Sequence, residues 1–397
     1  MALDYSFTDE QIQLKKDIHE WAKEHMPEEK VIRWHEERGM DDEVYKAWAQ
    51  TDFVRLGIPE EYGGIPCDFV TLGVMMEELC HSTVTTVPFV SSTLIIFDVL
   101  EFGSPEQIKF CMDTYYETGR PPYALAISEP VGGSDNFGMT TYTKEIDGKI
   151  HLFGDKTFVT NGEHFPHLIV LAKEEDPSRE NKSISMWTTP KDVPGIEVTQ
   201  LNKIGNQISP FARIHFDDVV LDPSQHLGER GQGFMNLMKN FEFERCVIIA
   251  MILGEAQAAL EDAAAYANQR MAFGKNIARY QAVQEMLVDM EMGLRTTREM
   301  LYKTLWKMDN NLPINADAAL LKRYGSVTLT QVASDALEIF GGHGFTTETR
   351  VGRAFLDCRG YQLGGGTREI MSHIANRPIV KEYAQLAEDE GRAEYEF

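Results

Sequence analysis

A chain of 397 residues, 43% of them hydrophobic, can bury more apolar surface than a single core uses, so two or three domains are expected. Its formal net charge of −24 excludes a general basic surface for nucleic acid or anionic membrane. No apolar run approaches the roughly 20 residues that span a bilayer. The opening MALDYSFTDEQ lacks the basic, apolar, small-residue order of a secretory leader, and a cytoplasmic protein with no membrane insertion is expected.

The first 120 residues read as helical. Thr8 and Gln11 stand at capping-box spacing, and Leu14, Ile18, Trp21 and Ala22 follow at i, i+4, i+7 and i+8. Pro59 and Gly63-Gly64 mark a loop, after which FVTLGVMMEELC (69–80) and SSTLIIFDVLEFG (91–103) resume helical patterns. Between about 121 and 230 the texture changes to short β-rich segments: KIHLF (149–153), HLIVLA (167–172), ISMWTT (184–189), GIEVTQL (195–201) and ARIHFDDVVL (212–221). Asp147-Gly148 before KIHLF is a hairpin signal, and Asn161-Gly162 punctuates the next strand. From Gly231 to 397 long helices return, with alanine-rich AQAALEDAAAYANQR (256–270) a strong helix former. Helices, then strands, then helices predict an α+β protein with domains at 1–120, 121–230 and 231–397.

Cys67, Cys80, Cys111, Cys246 and Cys358 are scattered and lack C-x-x-C spacing, so reduced, mostly buried thiols are expected and no metal site. In ALAISEPVGGSDNFG (124–138) an apolar strand ends in Ser128, Glu129 and Pro130, then Gly132-Gly133 and Ser134. Such a segment suits a cradle for a polar ring or phosphate, an ordinary turn being the plainer alternative. In DKTFVTNGEH (155–164), strand alternation puts Phe158 and Thr160 on one face, suited either to a heteroaromatic ring or to core packing. Arg270 ends a helix before the break Phe273-Gly274-Lys275; its guanidinium could grip a pyrophosphate, or merely complement the helix C-terminus. LEIFGGHGFTTETR (337–350) ends a helix in the flexible Gly341-Gly342 turn.

FMNLMKNFEFERCVIIAMIL (234–253) carries the sharpest signal. Phe234, Leu237, Met238, Phe241 and Ile248 share one helical face, and Glu244, four residues before Ile248, falls within it. A carboxylate on an apolar face would have its pKa raised toward neutrality, as a general acid/base needs. A buried ion pair with Arg245 or another cation is the structural alternative.

The stretches PEEYGG, ISEPVGGSD, TFVTNG, FER, QRMAFGK, IFGGHGF and GGGTREI stand in the order and approximate spacing of the acyl-CoA dehydrogenase family, and the chain resembles that family over residues 5–385. Within it, FVTLGVMMEEL, YTKEIDGKIHLFG, LEDAAAYANQRMAFG and MLYKTLWKMDNN are most similar to crotonobetainyl-CoA reductases. The resemblance implies an N-terminal helical domain, a middle β-barrel or sandwich domain and a C-terminal four-helix bundle. It also implies FAD, an acyl-CoA or enoyl-CoA substrate, an electron-transferring flavoprotein as electron partner, and a homotetramer. Carried over by motif, Ser128 and Thr160 would bond the isoalloxazine, Phe158 would lie against it and Ser134 would help close the site. Arg270 and Phe273 would reach the FAD of a neighbouring subunit, with Gly341-Gly342 completing that dinucleotide site. Thr367 and Glu369 match positions that contact the adenine-dinucleotide portion, and Glu242 and Arg245 stand near the CoA and substrate end.

The chain departs from the family at one point. Most members carry the catalytic glutamate in E-G-T, where this chain has Gly365-Gly366-Thr367. A minority, similar to isovaleryl-CoA dehydrogenase, place the base just before the arginine, here Glu244, while Gly365 keeps its backbone N–H for the thioester oxygen. A lyase or oxidase, or a non-catalytic flavoprotein subunit, are the alternatives on the same scaffold. The acyl group stays open, with Phe89, Phe97 and Tyr361 as walls for a quaternary ammonium or a plain apolar pocket.

Overall fold

The computed structural model describes residues 6–91, 93–175 and 183–390. Helix α1 (Asp9–His25) begins at a capping box: Gln11 N–H donates to Thr8 Oγ1 (3.2 Å) and Thr8 N–H to Gln11 Oε1 (3.1 Å). Then come α2 (Glu28–Glu37), α3 (Asp42–Ala49), α4 (Phe69–Thr83), α5 (Pro88–Ser91), α6 (Thr93–Phe102) and α7 (Pro105–Thr118). Ser92, inside the expected 91–103 helix, lies outside the described residues.

The strands are β1 (Tyr123–Ala126), β2 (Tyr142–Ile146), β3 (Lys149–Thr160), β4 (His167–Glu174), β5 (Ile184–Pro190), β6 (Ile196–Leu201), β7 (Phe211–Leu221) and β8 (His226–Leu227). Helix α8 (Gly233–Gln269) leads into the two-stranded hairpin β9 (Met271–Ala272) and β10 (Lys275–Asn276). The chain ends with α9 (Gln281–Asp309), α10 (Asn315–Phe340), α11 (Arg350–Gly360) and α12 (Arg368–Asp389). The mixed α+β architecture, a helical segment, a sheet segment and a second helical segment, is the expected one.

The described chain divides into two compact units. One comprises residues 20–67 and 86–241. Its strands pair in the order β6-β7-β3-β2-β4-β5-β8, with β1 alongside β4. The β2–β3 turn has both central residues at positive φ, Asp147 at 52° and Gly148 at 75°, which matches the right-handed strand twist. Residues 168–172 of β4 are fully buried in succession because both faces of that strand are covered. Leu152, Val170, Trp187, Ile214 and Phe216 form the sheet's apolar core. The helices of this unit bury an aromatic cluster in which Trp48 stacks on Phe89 at 4.4 Å, with Trp21 edge-on to both. Phe89 is therefore a core residue, which corrects its sequence-based candidacy as a wall of the acyl pocket.

The other unit comprises residues 1–19, 68–85 and 242–397, described from Ser6 to Glu390. Here α10 packs on α9, α11 and α12, and α4 packs on α9. A Cβ on Gly254 would lie 2.1 Å from the Glu77 carbonyl oxygen, so only glycine lets α8 approach α4 so closely. Glu77 also receives Arg298 Nη2 at 2.8 Å and the Tyr302 hydroxyl at 2.7 Å, which ties α4 to α9. Among the described residues four of the five cysteines are buried, and no helix is long and apolar enough to cross a membrane.

Candidate active site

Helix α8 carries Glu244 with Ile248 one turn further along the same face. Glu244 is only partly exposed, and its carboxylate makes no hydrogen bond or ion pair among the described residues. Burial raises its pKa to about 7, against the opposing pull of Arg245 and Lys322. Arg245, the next residue, is 3% exposed and its Nε lacks a partner among the described residues. Burial pulls its pKa below the usual guanidinium value. Glu242, one turn before Cys246, is engaged instead: Asn315 Nδ2 donates to its Oε1 at 2.7 Å.

The loop after α11 supplies the facing wall. Gly364 N–H returns to the Gly360 carbonyl at 3.2 Å, and Gly365 and Gly366 follow at φ 69° and 98°, where L side chains are strained. A Cβ built on Gly365 would meet Ile248 Cδ1 at 2.4 Å and Lys322 Cε at 3.6 Å. The place a glutamate side chain would leave from is thus filled by the helix that carries Glu244, and the nearest atoms to it are not a carboxylate. Lys322, on α10, is 1% exposed, and its ammonium donates to the Tyr361 carbonyl of the same loop. Burial lowers its pKa to about 8, with Glu244 opposing that effect. Thr367 closes the loop as N-cap of α12, its hydroxyl accepting from Ile370 N–H at 3.3 Å, while Glu369 is exposed beside Arg368.

In the other unit, two sequence-distant segments meet. Thr157 N–H donates to the Ser128 carbonyl at 2.8 Å, which joins ISEP to TFVT. Glu129 and Lys156 lock them together: Lys156 Nζ lies 2.9 Å from Glu129 Oε1 and 2.9 Å from the Ile127 carbonyl, with both side chains buried. The Glu129 carboxylate also accepts from Thr140 Oγ1 (2.7 Å) and Thr141 N–H (2.9 Å). Burial pushes its pKa up, but Lys156 and these donors prevail and hold it at about 2; at Lys156 burial prevails and lowers the pKa to about 8. The anion, with its extra donors, is the better supported half of the pair. A bulge between Lys156 and Val159 puts Phe158 at φ 57° and leaves its ring 60% exposed, so it is not a core residue. Ser128 and Thr160 are partly exposed and Ser134 is exposed.

A cavity of about 620 Å³ opens at the end of α8. Arg270, Tyr266, Gly341, Gly342, His343 and Glu348 are among its lining residues, so Arg270 and the glycine turn share one space. Cβ atoms on Gly341 or Gly342 would meet nothing within 4 Å, and Gly341 has φ 60° and ψ −134°, conformations that only glycine adopts readily. Phe273 stands at the tip of the β9–β10 hairpin with φ 48°, 97% exposed.

The ion pair that Glu129 forms with buried Lys156, and the buried Lys322, are not among the features expected from the sequence. A signal for Lys322 existed: it falls at Ala318+4 and Leu329−7, within the apolar stripe of α10.

Three family models match in order: the acyl-CoA dehydrogenase N-terminal domain at residues 8–114, the middle domain at 124–219 and the C-terminal domain at 231–379. "Probable acyl-CoA dehydrogenase YdiO" of Escherichia coli strain K12 is 38% identical over 96% of this chain and 99% of its own. A solved acyl-CoA dehydrogenase from Slackia heliotrinireducens superposes with a TM-score of 0.87 at 33% identity, over 97% of this chain and 100% of its own. The FAD complex of PigA superposes with a TM-score of 0.85 at 25% identity, over 96% and 100%.

Proposed function

Because the chain belongs to the acyl-CoA dehydrogenase family, FAD-dependent oxidoreductases that act on CH–CH bonds of CoA thioesters, we propose that it does so with Glu244 as the acid/base. The carrying observation is that Glu244, its pKa raised to about 7, sits one turn from the Ile248 methyl that fills the seat beside Gly365. Catalysis at neutral pH wants a proton acceptor that is neither fully charged nor fully neutral there.

The residues present suit FAD. An exposed aromatic ring on strained backbone, Phe158, beside the partly exposed hydroxyls of Ser128 and Thr160, fits a planar polar ring, with Ser134 to close it. An exposed guanidinium at Arg270, lining one cavity with an unobstructed glycine turn at Gly341-Gly342, fits a pyrophosphate. Phe273, Thr367 and Glu369 are assigned to the dinucleotide end by their motif positions in the family. FAD, when bound, supplies the acceptor or donor of a hydride at Cβ. The chain's own residues handle the proton and the developing charge. Glu244 takes the α-proton in oxidation or returns it in reduction. The Gly365 N–H donates to the thioester oxygen as charge gathers there, and Glu242 and Arg245 orient the CoA and substrate end.

The substrate proposed is crotonobetainyl-CoA, or γ-butyrobetainyl-CoA in the reverse direction. An electron-transferring flavoprotein is proposed as partner, a homotetramer as the assembly and the cytoplasm as its place. Anaerobic titration of the FAD-loaded protein with a panel of acyl-CoAs and enoyl-CoAs tests this, following flavin absorbance. Wild type should bleach with acyl-CoA at a rate that rises with pH through about 7, where Glu244 ionises. Glu244→Gln should keep its FAD and lose roughly 10²-fold or more in bleaching rate; near-normal bleaching by that variant would sink the assignment. Product elimination without bleaching would indicate a lyase, and a flavin that no thioester bleaches a non-catalytic subunit.

A further inference from the structure

Lys322 is a lysine where burial is unfavourable for one. It is 1% exposed, on the apolar face of α10 between Ala318, Ala319, Leu321 and Gly325. An ammonium so placed ordinarily needs a hydrogen-bonded carboxylate. Among the described residues, Lys322 forms no ion pair; its ammonium donates to the Tyr361 carbonyl. Along the way its stem passes the active-site loop, Cε standing 3.6 Å from where a Cβ on Gly365 would be.

The charges around it are few. Ile248 Cδ1 of α8 and Lys322 Cε stand at 2.4 and 3.6 Å from the same point beside Gly365, so Lys322 lies along the α8 face that carries Glu244 one turn before Ile248. Of the two α8 charges, Glu244 favours the charged ammonium and Arg245 opposes it. Glu242 acts on Arg245 and is already bonded to Asn315. Arg323, the next residue on α10, donates to Ser372 and takes no part. Two buried cations, Arg245 and Lys322, therefore attend one carboxylate that carries no hydrogen bond of its own among the described residues.

We infer that Lys322 is a positioning residue of this site: its tethered ammonium clasps the Tyr361–Gly366 loop and serves as the through-space counter-charge of Glu244. The two roles share a geometric cause. The loop whose Gly365 N–H would meet the thioester oxygen is anchored by the same ammonium that makes ionised Glu244 tolerable in a buried place. Lys322 keeps its proton through the cycle, and the α-proton passes only to and from Glu244. A lysine whose only task was to tie down the loop would leave Glu244 indifferent to its removal. The inference deepens the assignment of Glu244 and rests on it for its catalytic meaning, though not for its electrostatics.

The test is an infrared pH titration of the full-length, FAD-loaded protein, with the Glu244 carboxyl band assigned by its loss in Glu244→Gln. This reads Glu244 without turnover. Wild type should titrate near pH 7. Lys322→Met should move that midpoint up by about one unit or more, the usual effect of losing a nearby opposite charge. Lys322→Arg, which keeps the cation, should stay near wild type. Amide exchange over residues 361–366 should quicken roughly tenfold in Lys322→Met, as expected on losing one charge-assisted hydrogen bond. A folded Lys322→Met whose Glu244 midpoint and loop exchange match wild type would overturn the inference. If methionine does not fold, Lys322→Gln reads the same midpoint, since it too removes the charge. Normal bleaching by Glu244→Gln would overturn the catalytic role of Glu244 while leaving the titration result standing, so the two failures are distinguishable.

Discussion

Glu244 lies on an apolar helical face for a reason that makes it costly to the fold. Its pKa is raised from an ordinary 4.5 to about 7, so between those values the folded chain holds a proton that the unfolded chain has released. The group therefore subtracts stability as pH rises from about 4.5 through 7, and the loss is complete above 7. Glu244→Gln should accordingly gain on wild type by up to about 3 kcal/mol at pH 8 and by nothing at pH 4, compared by urea unfolding at both pH values. Gly365 carries the opposite lesson. Restoring the usual glutamate by Gly365→Glu would put a side chain at φ 69° and drive its Cβ to 2.4 Å from Ile248 Cδ1. That variant should lose about 2 kcal/mol or more in stability, and in a Glu244→Gln background it should not restore flavin bleaching.

At the level of elements, the proposed flavin cradle in the sheet unit depends on a joint between two segments about thirty residues apart. The Glu129–Lys156 pair holds β3 to the ISEP segment, and the bulge beyond Lys156 turns Phe158 outward. Removing one partner leaves the other charge buried and unpaired. Glu129→Gln should cost about 3–5 kcal/mol and lower the FAD content of the purified protein, as read by unfolding and by flavin absorbance. The sign of its pH dependence follows from a pKa held at about 2: the contribution is present above about pH 4.5 and is lost as pH falls toward 2. In the helical unit the same logic applies to α4, where Glu77 with Arg298 and Tyr302 fixes the helix against α9.

Over the whole molecule, a net charge of −24 opposes association, yet Phe273 and Met271 of the β9–β10 hairpin expose apolar side chains beside Arg270. An aromatic ring 97% exposed on strained backbone suits a surface that meets another copy of the chain. Under the proposed homotetramer, Phe273→Asp should reduce the assembled mass seen by light scattering and reduce FAD content with it. Reduced mass with full FAD occupancy would separate the assembly from the dinucleotide site.

The sequence by itself determined the helix, sheet and helix order, the Thr8–Gln11 cap, the Asp147-Gly148 turn and the apolar face that carries Glu244. These are local properties: capping spacing, turn chemistry and a 3.6-residue period act between neighbours in the chain. Only the tertiary structure decided that Ile248 fills the place beside Gly365, that Lys322 reaches Tyr361, that Phe158 points outward and that Phe89 lies in an aromatic core. Strand alternation alone could not reveal the bulge, because its extra residue shows only against the partner strand. Residues 244, 322 and 365 come from an α8 face, an α10 face and a loop. Each pattern states which side of its element is buried, and only packing states against what.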